Sequence, residues 1–394
     1  MRHMESAQSH TLPQSSLQTG HLADFSERIR AAFEARTPLR IRGGGSKDFY
    51  GHSLQGELLD TRALTGIVNY EPSELVVTVR AGTPLLKLEA QLAAQGQCLA
   101  FEPPHFGAAT VGGMVAAGWS GPARASVGAV RDFVLGLEMM NGQGQLLRYG
   151  GQVMKNVAGY DVSRLMAGSW GTLGVLTELS LKVLPVATAE ATLRFECTQN
   201  EALKRLNDWG GQPLPLNASC WLQQSDQSTG TLYLRLRGAQ AAVQAAALRL
   251  GGETVEQAGA AAGWASCREQ NLPWFAQRSP EHCLWRLSVP AAAPALALPS
   301  DATGPLLEWH GALRWVQAPR SAAQALQALA QSVGGSATLF RAESASQISS
   351  LADFDAHAQS ANPAAKTVAL LHGRLKQAFD PAGILNVGRL SAAW

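Results

Sequence analysis

The amino-acid sequence predicts an α+β fold arranged as two domains, and three observations lead to this prediction. The chain has 394 residues, which suggests two domains at roughly 100 to 200 residues each. Helical and strand patterns mix up to Pro185, as in layered domains with both element types. Beyond Pro185 alanine and glutamine become frequent and most of the tryptophans occur. We expect a disordered tail at 1–21, domains at 22–186 and 187–362, and a C-terminal helix and tail at 363–394 that packs back on the first domain.

The first domain begins with a helix over residues 24–36, which apolar spacing predicts and Pro38 ends. A further helix over 84–95 has Thr83 as its predicted N-cap and Pro84 at its first position. Residues 101–128 show little periodicity, which predicts a long functional loop. Predicted strands cover 39–42, 58–59, 66–70, 75–80, 134–141, 145–149 and 175–183.

The second domain alternates strands with alanine-rich helices, which predicts a split sheet with helices on one face. A proline-broken linker is expected at 291–300. The predicted strands cover 192–196, 230–237, 283–289 and 311–317, and the predicted helices cover 239–248, 321–332 and 363–379.

Composition and charge exclude several function classes. The chain has 32 Lys plus Arg against 30 Asp plus Glu, and a net charge of +2 without long runs of one sign does not favour nucleic acid or an anionic membrane as partner. The sequence contains no apolar run approaching the roughly 18 residues that a membrane-spanning helix requires, and the polar first 20 residues lack a secretory signal. We therefore expect a cytoplasmic protein.

The five cysteines, at 98, 197, 220, 267 and 283, are scattered and never form a CxxC pair. This pattern argues against a disulfide framework, a zinc site and an iron–sulfur cluster. Buried free thiols are expected.

Three glycine-rich segments carry the candidate chemistry. In the first, Arg42, Gly43, Gly44, Gly45 and Ser46 follow a predicted strand. Consecutive glycines let several N–H groups point at one anion, so the segment is either a phosphate-binding nest or an ordinary tight turn. It matches neither the Walker A loop nor the GxGxxG fingerprint.

The second segment, residues 103–122, consists mostly of small side chains. Small residues allow the backbone to approach a flat cofactor and its diphosphate closely. The alternative is a small-residue loop packed on a helix. The candidate binding residues here are Pro104, Thr110, Gly112, Gly113, Gly118, Ser120 and Gly121.

The third segment places Lys155, Asn156, Asp161 and Arg164 before a glycine-rich stretch that contains Gly174, Val175 and Leu176. Lys155 and Arg164 could hold a phosphate or an acidic substrate, and Asp161 could orient a cation or a ribose hydroxyl. The alternative is that they are ordinary surface charges.

These segments, in this order across residues 22–185, resemble the PCMH-type FAD-binding domain of the vanillyl-alcohol oxidase family. The resemblance extends to the FAD-binding subunits of bacterial glycolate oxidases through RIRGGGSKDFYG, FEPPHFGAATVGGMVAAGWSGP, GAVRDFVLG, GGQVMKNVAGYDVSRLMAGSWGTLGVLTE and the terminal AFDPAGILNVGRL. It implies a two-subdomain FAD domain followed by a smaller α+β cap. FAD would lie with residues 42–46 on its pyrophosphate, residues 104–121 along the diphosphate and flavin, and backbone contacts from residues 174–176.

The resemblance also implies partners. A larger FAD-binding catalytic subunit would carry glycolate oxidation, and an iron–sulfur subunit would pass electrons to a quinone-type acceptor, with membrane association through the complex. Family members with covalent FAD often have His in the glycine turn, where this chain has Ser46. Non-covalent FAD is therefore predicted, although His52 lies nearby.

The cap histidines, His282, His310, His357 and His372, are isolated and lack the paired pattern that the catalytic relatives use for a metal. No metal site is predicted.

Three hypotheses follow. The leading one is an FAD-binding subunit of a glycolate dehydrogenase complex. The second is a self-sufficient FAD-dependent 2-hydroxyacid dehydrogenase, in which Lys155, Arg124 or Arg131 binds the substrate carboxylate and His105 is the base. The third is a non-catalytic structural subunit with a vestigial flavin site.

Overall fold

The computed structural model describes residues 16–51, 55–151, 161–223, 229–342 and 363–391. The predictions made for Lys155, Asn156, His52 and His357, and for the first 15 residues, lie outside the described residues.

The first half of the chain is organised around a five-stranded antiparallel sheet, β3-β4-β8-β6-β7, and a parallel pair, β1 with β2. Its strands are β1 (Leu39–Arg42), β2 (Glu57–Asp60), β3 (Ile67–Glu71), β4 (Val76–Arg80), β5 (Gln97–Cys98), β6 (Val134–Met140), β7 (Leu146–Gly150), β8 (Val175–Lys182) and β9 (Leu184–Pro185). Its helices are α1 (Ser16–Ala35), α2 (Leu85–Ala93), α3 (Val111–Ala117), α4 (Arg124–Val127), α5 (Val130–Phe133) and α6 (Val162–Leu165).

The second half forms an eight-stranded antiparallel sheet in the order β13-β10-β12-β11-β15-β16-β14-β17. Its strands are β10 (Ala189–Thr198), β11 (Leu216–Gln223), β12 (Thr229–Gly238), β13 (Glu253–Thr254), β14 (Cys283–Ser288), β15 (Thr303–Glu308), β16 (Leu313–Ala318) and β17 (Ser336–Arg341). Its helices are α7 (Gln199–Gly210), α8 (Gln240–Leu250), α9 (Gln257–Arg268), α10 (Pro273–Ala276) and α11 (Ala323–Ser332), and α12 (Pro363–Phe379) follows.

The two faces of the eight-stranded sheet bury different partners. Alternate strand residues such as Leu234 and Trp285 point to one face, where α7, α8 and α11 complete two apolar cores. The residues between them point to the other face, where Trp264 of α9 packs together with Phe49 and Trp119 from the first half of the chain. The sequence-based prediction of helices on one face is therefore wrong for α9.

The C-terminal segment is tied to the first half by a buried ion pair and backbone bonds. Lys376 Nζ lies 2.7 Å from Asp380 Oδ2 and also donates to the carbonyls of Thr172 and Leu385, each at 2.9 Å. The Leu39 N–H donates to the Ile384 carbonyl at 2.7 Å. These contacts place residues after 380 beside β1.

Three local predictions for the first half are wrong. Helix α1 begins at Ser16, so the described residues 16–21 are helical and do not belong to a disordered tail. Pro84, not Thr83, is the N-cap residue of α2; the Thr83 hydroxyl instead accepts a hydrogen bond from Gly66 N at 2.9 Å. The predicted loop at 101–128 contains α3, whose N-cap Thr110 accepts from Gly113 N. Buried Val111, Met114 and Val115 stabilise this helix through packing that its glycine content conceals in the sequence.

The second half contains several elements that the sequence did not reveal. Strands β11, β15 and β17 and helices α7 and α9 are all absent from the prediction. The linker prediction holds, since residues 291–300 contain no helix or strand. All five cysteines are free, and four are buried.

Candidate functional site

A cleft of about 100 Å³ lies where β1 ends, between the first glycine segment and α3. Within the described part of the chain, the amide groups of Gly44, Gly45 and Ser46 donate to no acceptor. A Cβ atom at Gly44 would overlap the carbonyl oxygen of Ala108, so only glycine allows this approach of two backbones. Free N–H groups on a curled backbone are the structure of an anion nest.

Three cations surround this nest. Arg42 pairs with Asp48 at 2.7 Å. Burial lowers the pKa of Lys47 to about 8, and its ammonium lies 3.2 Å from Ser46 Oγ and 3.4 Å from the His105 carbonyl. Arg389 donates to the Lys47 carbonyl at 2.9 Å and lies 5.1 Å from the Trp170 ring centroid. With one carboxylate among them, these groups favour an anionic ligand such as a diphosphate.

The C-terminal segment completes the cleft. The Asn386 carboxamide accepts from Ile41 N at 2.7 Å and donates to the Trp170 carbonyl at 2.6 Å. Asn386 thus joins β1 to the Trp170 turn, and both it and Trp170 have positive φ, at 43° and 53°. Such backbone strain in non-glycine residues is typical of functional sites.

A second cavity of about 310 Å³ adjoins the first, because Ala117 and Trp170 line both. One wall is the 117–131 segment, and the other is the eight-stranded sheet with α9. Among the residues that the structure describes, five charged side chains line the cavity: Arg124, Arg131, Arg268, Arg286 and Glu308. Its aromatic lining consists of Tyr50, Phe106, Trp119, Trp170, Trp309, Trp315 and Phe340.

Glu308 is a buried carboxyl on the sheet wall. It is 4% exposed and accepts a hydrogen bond from Trp315 Nε1 at 2.8 Å. Burial raises the pKa of Glu308 to about 7, against opposing contributions from Trp315, Cys267 and Arg286. Strand register brings these side chains to one face of the sheet. Arg286 lies directly opposite Trp315, and Glu308 lies opposite Cys220.

A strained turn joins the two walls. Trp309 and His310 both have positive φ, at 52° and 56°, and Trp309 Nε1 donates to the Gly121 carbonyl at 2.9 Å. His310 bridges Ser126 and Ser219, each at 3.1 Å from one ring nitrogen. Burial lowers the pKa of His310 to about 4, so the bridge is neutral at physiological pH.

Most of the residues proposed from the sequence as cofactor ligands line one of these spaces. Arg42, Gly43, Gly44, Gly45, Ser46, Thr110, Gly112, Gly113, Gly174 and Leu176 line the first cleft. Pro104, Gly118, Ser120 and Gly121 line the second cavity.

Two proposed ligands lie elsewhere, and a third is not among the described residues. Val175 is fully buried in an apolar core. Asp161 is the N-cap of α6 and lies 2.8 Å from Arg164, so these two residues form an ion pair away from both cavities. Asn156 is outside the described residues.

Of the catalytic candidates, Arg124 and Arg131 line the second cavity, whereas His105 lines neither space. His105 is buried with Nε2 2.9 Å from Glu89 Oε2, a position that does not favour its role as base. Lys155 is outside the described residues.

Sequence reasoning missed Lys47, Trp170, Asn386, Arg389, Arg286 and Glu308. The first four lie within or beside the recognised motifs and could have been found there. Arg286 and Glu308 are single residues on strands, and no local signal marks them.

The first cleft fits the diphosphate of FAD for three reasons. The backbone N–H groups of residues 44–46 lack acceptors in the described part of the chain, its glycines let the backbone approach a ligand closely, and its cations outnumber its carboxylates. The residues that would hold it are Arg42, Gly43, Gly44, Gly45, Ser46, Lys47 and Arg389.

Among the described residues, no group of three or more His, Cys, Asp or Glu side chains is placed to hold a metal ion. Over the same residues, no helix is both long and apolar enough to cross a membrane.

Comparison with known proteins agrees with this geometry. The FAD binding domain family matches residues 13–150. Glycolate oxidase subunit GlcE of Escherichia coli is 44% identical over 367 residues, covering 93% of this chain and 96% of that protein. A D-lactate dehydrogenase of Archaeoglobus fulgidus is 34% identical over 166 residues, covering 41% of this chain and 37% of that protein.

The fold has a solved counterpart. An alkyldihydroxyacetonephosphate synthase superposes with a TM-score of 0.62 at 15% identity, covering 95% of this chain and 76% of that one. At that identity the likeness concerns the fold alone, and it confirms the α+β architecture expected from the sequence. The family match, the relatives and the cleft together identify FAD as the cofactor.

Proposed function

We propose that this chain, which belongs to the family of the glycolate oxidase subunit GlcE, is the FAD-binding subunit of a complex that oxidises glycolate to glyoxylate. Family membership makes it part of an FAD-dependent oxidoreductase acting on hydroxy acids. The single observation that carries the proposal is the anion nest at residues 43–46, flanked by Lys47 and Arg389, in a chain 44% identical to a glycolate oxidase subunit.

This chain's residues would bind and orient the cofactor. The free amides of Gly44, Gly45 and Ser46 would receive the diphosphate, and Lys47 and Arg389 would balance its charge. When bound, FAD supplies an acceptor for the two electrons and the hydrogen that leave an alcohol carbon. Ser46, in the position where covalently linked relatives often have His, supports non-covalent attachment.

The assembly proposed from the resemblance has a larger FAD-binding catalytic subunit and an iron–sulfur subunit that passes electrons to a quinone-type acceptor. The relative that covers nearly the whole chain is itself named as a subunit, which supports a multi-subunit complex. A cytoplasmic location, with membrane association only through the complex, remains a prediction from the sequence.

A second candidate is a self-sufficient FAD-dependent 2-hydroxyacid dehydrogenase. It is favoured by one observation, namely that Arg124 and Arg131 line a cavity that adjoins the cofactor cleft. The base suggested for it by the sequence, His105, lines neither space.

The test is a visible spectrum of the purified full chain, followed by anaerobic addition of glycolate, first alone and then with the partner subunits. We expect an oxidised flavin band that persists until the larger subunit is added. Omitting this chain from the complex should abolish glycolate-dependent reduction of a quinone analogue. Full activity without it would refute the proposal, and bleaching by the isolated chain would establish the second candidate. Absence of flavin after reconstitution would favour a structural subunit.

A further inference from the structure

The second cavity contains two arginines that share one aromatic ring. The guanidinium carbon of Arg124, on α4, lies 4.4 Å from the Trp309 ring centroid, and that of Arg286, on β14, lies 5.2 Å from it. Each contact is a favourable cation–π interaction, but the two cations repel each other. Burial, together with the neighbouring Arg286 and Arg131, lowers the pKa of Arg124 against an opposing contribution from Asp132.

Neither of these two arginines makes a close ion pair within the described residues, although Asp132 acts on Arg124 and Glu308 on Arg286 from a distance. No hydrogen bond or ion pair joins Arg124 or Arg286 to another side chain there. Other arginines close to the same interface are paired: Arg268 lies 2.8 Å from Glu269, and Arg235 lies 2.6 Å from Glu102. The cavity therefore keeps two neighbouring guanidinium groups without a direct ion pair, which a folded protein retains at a cost.

Glu308 forms no ion pair with either of these arginines. It is the only carboxyl among the described cavity-lining residues, and it is bonded to Trp315 and Cys267 instead of to either guanidinium. Burial raises the pKa of Glu308 to about 7, and even the fully ionised carboxylate would balance only one of the two guanidinium charges, so the cavity stays positive around neutral pH. A small anion of complementary shape would remove both the repulsion and the excess charge.

We propose that Arg124 and Arg286 bind the carboxylate of a small 2-hydroxy or 2-oxo acid within this chain. Two guanidinium groups present planar forks of N–H donors, which match a carboxylate in geometry and charge. The cavity of about 310 Å³ is at the lower end of small-ligand sites and opens onto the cofactor cleft at Ala117 and Trp170. The class of acid rests on the proposed function, whereas the anion site rests on the arginine pair alone.

The test is isothermal titration of glycolate into the full, FAD-loaded chain. We expect Arg124→Gln and Arg286→Gln each to weaken binding at least tenfold, and Arg286→Lys to weaken it less, because it keeps the charge but loses the fork. The matched control is Arg205→Gln, since Arg205 is also half-buried over an aromatic ring, Phe195 at 5.5 Å, but lies outside the cavity. Affinity within twofold of the parent chain in both glutamine variants would overturn the proposal.

A second measurement on the unmodified chain does not depend on how the variants fold. Glycolamide, the neutral analogue of glycolate, should bind at least tenfold more weakly than glycolate. Equal affinity for glycolamide, or tighter binding of inorganic phosphate than of glycolate, would overturn a carboxylate site. The flavin spectrum separates the two proposals: bound FAD without glycolate binding rejects this site alone, and glycolate binding without FAD rejects only the proposed cofactor role.

Discussion

The cofactor cleft and the neighbouring arginine cavity are built in opposite ways. In the cleft, backbone amides form the ligand surface, and most of its residues come from three short glycine-rich segments, within 41–48, 110–117 and 170–176. In the cavity, the functional groups are side chains from α4, α9, β14 and β15, which are far apart in sequence. A backbone site depends on which residues lack a side chain, whereas a side-chain site depends on strand register. The cofactor cleft should therefore lose its ligand when a side chain is added, and the arginine cavity should lose its ligand when a charge is removed.

The largest expected effect is on the backbone site. Gly44→Ala should abolish measurable FAD binding, a loss of at least about 100-fold, because the added Cβ would overlap the Ala108 carbonyl and force the loop to move. The measurement is the flavin absorbance per chain after reconstitution, with unfolding temperature as a check on folding. Gly373→Ala is the matched control, because a Cβ there meets no atom within 4 Å. Retention of FAD in Gly44→Ala would show that the loop is not the diphosphate site.

The same contrast decides what could be predicted from sequence. The strand before the glycine run was predicted correctly, and the phosphate nest was one of the two interpretations that the sequence left open, since consecutive glycines after a strand carry a local signal. Helix α3 was missed because its stability comes from packing of Val111, Met114 and Val115 rather than from helix propensity.

The arginine cavity shows more clearly what cannot be predicted from the sequence. Arg124 was proposed as a carboxylate ligand, but Arg286 and Glu308 were not proposed for any role. Each occupies one inward position of a strand, and they face the same cavity only because β14, β16 and β15 are adjacent in the sheet. The strand β15 itself was not predicted, so its register could not be used.

A substitution in the C-terminal segment should have an effect of intermediate size, because side chains of this segment complete the cofactor cleft. Asp380→Asn should lower the free energy of unfolding by about 3 to 5 kcal/mol, since it leaves the Lys376 ammonium buried without its counter-ion. It should also weaken FAD binding, because Asn386 and Arg389 follow this turn and line the cleft. Chemical denaturation and FAD titration are the measurements.

An exposed pair of the same type gives the control for that prediction. Lys204 and Asp208 form an i,i+4 ion pair on α7, and Asp208→Asn should cost less than about 1 kcal/mol. Equal losses in the two variants would show that burial does not decide the contribution of the C-terminal pair.

The smallest expected effect is the pH dependence of stability, where Glu308 and His310 oppose each other. The folded-state pKa of Glu308 is raised to about 7, so its contribution to stability is present below its unfolded pKa and is lost as pH rises through 7. The folded-state pKa of His310 is lowered to about 4, so its contribution is present above its unfolded pKa and is lost as pH falls toward 4. Between about pH 4.5 and 6.5 the two slopes have opposite signs and largely cancel.

Replacing either Glu308 or His310 should reveal the pH dependence of stability that the other residue contributes. Glu308→Gln should become more stable by at most about 3 kcal/mol as pH rises from 4.5 to 6.5, because only His310 then titrates in this pair. The reciprocal variant His310→Gln should lose stability over the same interval and on to about pH 7. Thermal unfolding at half-unit pH steps measures both, with the parent chain as reference. Parallel pH profiles in the two variants would mean that these buried groups do not titrate as their surroundings require, and the cavity would then be more hydrated than its lining indicates.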